Sequence, residues 1–75
     1  MAPLSGRHRA LGEALRAARV QRGLSQEALG ERAGLSANYV GDVERGERNV
    51  SVRAIWQLAD GLGLAASELM RDAET

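Results

Sequence analysis

The stretch Gly23–Asn49, GLSQEALGERAGLSANYVGDVERGERN, holds two short helical patterns separated by one tight break. Ser25 is an N-cap type residue and opens the first pattern, Gln26–Ala33, which puts Leu29 and Ala33 on one face. Gly34 closes it, because a left-handed C-cap carries the least steric penalty at glycine. Leu35 follows, and Ser36 is placed to cap a second helix, Ala37–Arg45, at once. That helix turns Val40 and Val43 inward and stops at Gly46. Two helices this short, joined by about three residues that include a glycine, form a helix-turn-helix pattern.

Helical patterns continue on both sides. Upstream, Leu11, Ala14, Leu15 and Ala18 follow the i, i+3, i+4, i+7 spacing of a helix over His8–Gln21, and Gly23 ends it. Arg16 and Arg19 fall beside this stripe. Pro3 and Gly6 mark residues 1–6 as a flexible arm. A basic arm can reach along DNA, but the favoured reading of Arg7 and Arg9 is a frayed terminus. His8, the single histidine, is expected to be exposed. Downstream, Glu47-Arg48-Asn49 is a loop, and Ser51 caps a fourth helix that ends at Gly63. Val52, Ile55, Ala59 and Leu62 share one face there, flanked by Leu58 and Trp56; Trp56 is either core or a subunit contact. A fifth helix spans Leu64–Arg71 with a poor cap, since Ala65 has no side-chain oxygen. Residues 72–75 form a flexible tail. The chain therefore reads as all-α: five helices in a single domain covering 1–75.

Seventy-five residues bury only about 60% of the surface their unfolded chain exposes. With one Trp, one Tyr and no Phe, the core must come from Leu, Val, Ile and Ala. The chain has no Cys, which excludes disulfides and thiolate metal sites. It shows no membrane-length apolar run and no signal peptide, so a cytoplasmic protein is expected. One isolated histidine, no phosphate-binding glycine loop and no paired ligand spacing argue against an enzyme, and no cofactor or metal is called for. Ten basic and ten acidic residues cancel. Residues 1–30 carry a surplus of +3, however, and residues 51–75 a deficit of −2. All ten basic residues are arginine. Arginine suits forked contacts to phosphate or guanine, and coding bias accounts for the same composition.

Leu15, Arg16, Arg19, Gly23-Leu24-Ser25-Gln26, Leu29, Ala33-Gly34-Leu35-Ser36, Val40, Glu44, Gly46, Ser51, Leu58-Ala59 and Leu62 stand in register with one known pattern. Over Leu11–Met70 the chain resembles the lambda-repressor/Cro-type helix-turn-helix DNA-binding family. Within it, Tyr39 with Glu44-Arg45-Gly46-Glu47-Arg48-Asn49 resembles the controller proteins of restriction-modification systems. The resemblance implies a lambda-repressor-like domain whose second motif helix enters the major groove of double-stranded DNA.

The resemblance also implies roles for particular residues. Base contacts fall to the start of the recognition helix and one turn on: Ala37, Asn38 and Asp42. Asn38 matches the adenine edge, and Asp42 can only accept, from cytosine N4 or adenine N6. Tyr39 adds a contact to phosphate or base. Arg45, Arg48 and Asn49 hold the DNA backbone, helped by Ser36 and by Gln26 at a helix N-terminus. Glu44, an odd charge on a DNA-facing helix, is expected to pair with Arg19 behind the motif. A homodimer on a palindromic operator is expected, since two recognition helices about 34–36 Å apart double the reading. Trp56, Leu64, Leu69 and Met70 are its candidate interface. The expected function is a transcriptional regulator, with contact to the transcription machinery left open. An antitoxin that also binds its own promoter is the alternative, although the chain leaves little length to wrap a toxin.

Overall fold

Ser25, Ser36 and Ser51 each stand one residue before a helix. In the computed structural model each hydroxyl accepts a 3.0 Å hydrogen bond from the backbone N–H three residues on, at Ala28, Tyr39 and Ala54. These caps satisfy N–H groups that the first helical turn leaves without partners. The structure describes residues 2–74. The helices are α1 (Gly6–Gln21), α2 (Gln26–Ala33), α3 (Ala37–Glu44), α4 (Val52–Leu62) and α5 (Ala66–Glu74), and the described residues contain no strand.

Gly34 takes the left-handed conformation expected of it, with φ 74°, and so turns the chain from α2 into α3 within three residues. α2 packs on α3 and α4, and α1 packs on α3 and α5. At the centre lie Leu15, Leu29, Val40, Val43, Leu58 and Leu69, all fully buried, with Ala18, Ala33 and Leu62 around them. Each buried Leu or Val contributes roughly 1.5–3 kcal/mol. Gly12 sets how closely α1 approaches α3. A Cβ there would lie 2.4 Å from the carbonyl oxygens of Val43 and Glu44, so any larger residue must push the two helices apart.

The ends of the chain differ from expectation. α1 begins at Gly6 rather than His8, because Ser5 caps it and accepts from the His8 N–H at 3.2 Å. Leu4 donates its N–H to the Gly46 carbonyl at 2.8 Å, which ties the expected arm to the loop after α3. α5 runs from Ala66 through Glu74, so Asp72–Glu74 of the expected tail are helical. Its missing cap is replaced from inside the helix, where the Glu68 carboxylate accepts from the Ala65 N–H at 3.2 Å, half of a capping box. Met1 of the arm and Thr75 of the tail lie outside the described residues.

The buried face of α4 also differs. Ala54, Leu58, Ala59 and Leu62 face the core, Ile55 is half-buried, and Val52 is exposed. Leu58, expected on a flank, is a central core residue. The inward stripe is rotated toward the side that meets α2, where Gly61 lets α4 sit against Leu29 and Ala33.

Candidate nucleic-acid interface

The two sides of α3 have separate duties. Val40, Gly41, Val43 and Glu44 are buried, while Asn38 is exposed and Ala37, Tyr39 and Asp42 are partly so. Among the described residues the Asn38 carboxamide has no hydrogen-bond partner, so both its donor and acceptor ends are open to solvent. Gly41, next to Asp42 in sequence, is buried and lies under Gln26. A Cβ at Gly41 would stand 3.4 Å from Gln26 Oε1.

That gap lets Gln26 cross α3 and reach Glu44, where its Nε2 donates to Oε1 at 3.1 Å. The expected Arg19–Glu44 pair is present and two-pronged: Nε donates to Oε2 at 2.6 Å and Nη2 to Oε1 at 3.1 Å. The side chains are 12% and 3% exposed. The Glu44 hydrogen bond holds the Arg19 guanidinium above its ordinary pKa, against the pull of desolvation. Arg19 Nη1 also donates to the Leu24 carbonyl at 2.7 Å. A charge that looked misplaced on a DNA-facing helix thus points into the protein. One hydrogen of the Gln26 amide is committed to Glu44, which leaves the second uncommitted among the described residues.

The outer side is held by a second set of charges. Asp42 accepts from Arg45 Nη2 at 2.6 Å through one oxygen and from Arg48 Nη2 at 3.2 Å through the other. Arg45 Nε also donates to Glu47 at 3.2 Å. Glu47 first, and Asp42 after it, hold the Arg45 guanidinium above its ordinary pKa. The Arg48 guanidinium stands 4.9 Å from the centre of the Tyr39 ring, a cation–π distance. Asp42, expected as a free acceptor for a base, therefore has an arginine on each oxygen. Arg45 is the C-cap of α3 rather than its last helical residue.

Sequence reasoning missed the setting of His8. The ring bridges Ser5 and Asn49, with Nδ1 2.6 Å from Ser5 Oγ and Nε2 2.7 Å from Asn49 Oδ1. The tautomer that satisfies both contacts carries its proton on Nε2 and leaves the Asn49 NH2 free to donate outward. Ser5, three residues before His8, was the available signal. Arg22 Nε donates to the Leu62 carbonyl at 2.6 Å, and Gln57 Nε2 to the Ala33 carbonyl at 3.0 Å. Both tie off helix C-termini, and neither is legible from spacing.

The four candidate interface residues do not come together as one surface. Trp56 is 59% exposed and Val52, one turn before it, 61%. Leu64 packs partly against the core, and Met70 is half-buried in a cleft of about 430 Å³ with Leu11, Val50 and Ile55. Leu69 is 1% exposed and belongs to the core of the single chain, because α5 turns it toward α1 and α4. Among the described residues no three His, Asp or Glu side chains gather as a metal site, and no helix is long and apolar enough to cross a membrane.

The helix-turn-helix family profile matches residues 15–69. The chain belongs to the lambda-repressor/Cro-type helix-turn-helix family. It is a DNA-binding transcriptional regulator of that family. The chain is 42% identical over 60 residues to control protein C.SmaI of Serratia marcescens, covering 80% of this chain and 71% of that one. Control protein C.MunI of a Mycoplasma species is 39% identical over 51 residues, 68% of this chain and 69% of its own. The crystal structure of the restriction-modification controller protein C.AhdI of Aeromonas hydrophila superposes with a TM-score of 0.82 at 47% identity, covering 83% and 94% of the two chains.

Proposed function

We propose that this helix-turn-helix protein is a controller-type regulator of a restriction-modification system that binds a palindromic operator as a homodimer. The open outer face of α3 carries the reading: Asn38 is exposed and uncommitted, and Arg45 and Arg48 flank the same helix end. Asn38 reads a base edge, with Ala37 and Tyr39 beside it. Arg45, Arg48, Asn49, Ser36 and the second Gln26 hydrogen hold phosphates. The likeness to C.SmaI and C.AhdI supports the controller role.

The exposed pair Val52 and Trp56 supports the dimer. A large exposed aromatic one turn from an exposed valine is the kind of patch that a second copy covers.

Selection of duplexes from a random library, followed by sedimentation of the free and DNA-bound protein, tests both parts. The expected result is a twofold-symmetric site with half-sites roughly one helical turn apart, bound by two chains. An asymmetric consensus, or a monomer at high micromolar concentration both free and on DNA, overturns the dimer reading.

A further inference from the structure

A carboxylate on the outer face of a recognition helix repels phosphate, and Asp42 stands there 31% exposed. If it served as a base acceptor it would meet the base with both oxygens already engaged, one by Arg45 at 2.6 Å and one by Arg48 at 3.2 Å. The two arginines come from different places, the α3 C-cap and the loop beyond Gly46, and Asp42 is the group they share. Tyr39 closes the set by lying under Arg48. The result is a pair of phosphate-seeking cations with fixed direction and reduced net charge.

Resting on the DNA-binding reading above, we propose that Asp42 is an internal counter-charge. It holds Arg45 and Arg48 in the posture in which they meet phosphate, and it lowers the protein's affinity for DNA of any sequence. On binding, each arginine trades or shares its carboxylate with a phosphate. An Asp42 left behind recruits a cation from solution, which cancels part of the counterion release that drives sequence-independent binding. Base contacts from Asn38 do not pass through this exchange. The brake therefore falls hardest on non-specific complexes, where phosphate contacts are nearly the whole interaction. On the operator, loss of the brake is offset by loss of the fixed arginine posture. Asp42 is in this sense a specificity-determining residue that touches no base.

The test compares wild type with Asp42→Asn, which keeps the shape and removes the charge, and with Asp42→Ala. Both are titrated at several salt concentrations against a mixed-sequence duplex and against the duplex that wild type selects from a random library. Asp42 sits among exposed partners, so both variants should fold, which melting curves check. Both variants should bind the mixed-sequence duplex about three- to tenfold more tightly and with a salt slope steeper by about one. Operator affinity should rise less, so discrimination falls. Adding Arg45→Gln and Arg48→Gln to Asp42→Asn should abolish the gain. Unchanged non-specific affinity and slope would overturn the proposal. So would a loss confined to the selected duplex, which would make Asp42 a reader of bases. Wild type that binds neither duplex would overturn the DNA-binding reading itself, a result distinct from both.

Discussion

Asp42 and Glu44 stand two residues apart on α3, each carries one negative charge, and each accepts from arginine. About 200° of helical rotation separates them, and that rotation decides everything else. Glu44 faces inward at 3% exposure and takes three donated hydrogen bonds, two from Arg19 and one from Gln26. Asp42 faces outward and takes one from each of two arginines that are themselves about half exposed. A buried pair that loses one member leaves a charge without water or partner. An exposed pair is screened, weak, and free to exchange its cation with a phosphate. The same chemistry is architecture on one side of the helix and an exposed, exchangeable pairing on the other.

The largest expected effect tests the buried side. Glu44→Ala and Arg19→Ala should each lose about 3–5 kcal/mol of stability, read from denaturant melts, because each strands the other charge. The double variant should lose clearly less than the two losses added. Two small, additive losses of about 1 kcal/mol or less would reduce Arg19–Glu44 to a surface pair, and the contrast with Asp42 would disappear.

The next effect lies one turn from Asp42 on the outer side. Asn38→Ala should leave stability nearly unchanged and weaken operator binding by about 1–3 kcal/mol, with relaxed preference at one base position. Titrations across single-base operator variants measure it. An equal loss on every variant would make Asn38 an anchor rather than a reader.

The smallest effect comes from a partner of Asp42. Arg48→Ala should weaken binding to all sequences alike, by about threefold, and flatten the salt slope by about 0.9. The loss is modest because the arginine already comes with a counter-charge. A change in base preference would reverse the roles given to Arg48 and Asn38.

Much of this was legible in residue order. Ser25, Gly34 and Ser36 specify two short helices and the turn between them through backbone chemistry that acts over three or four residues. The family pattern supplied the Arg19–Glu44 pair across 25 positions. Other features were hidden because they depend on distant partners. His8 looked idle until the fold brought Asn49 within 2.7 Å of it. Leu69 looked like an interface residue because nothing in a short amphipathic helix says whether its apolar side meets its own chain or another. Trp56 stood undecided for the same reason, and the fold leaves it outside.

The sequence alone determined the elements: five helices, the serine caps of α2, α3 and α4, the tight turn at Gly34, and the outward position of Asn38. These follow from hydrogen-bond geometry and periodicity within single turns. Only the tertiary structure decided the rotation of α4 about its axis, the tether of the N-terminal segment to the loop after α3, and the arginine on each oxygen of Asp42. The physical reason is that burial is a property of the packed chain. A carboxylate becomes a buried strut or an exposed counter-charge according to what the rest of the fold places over it.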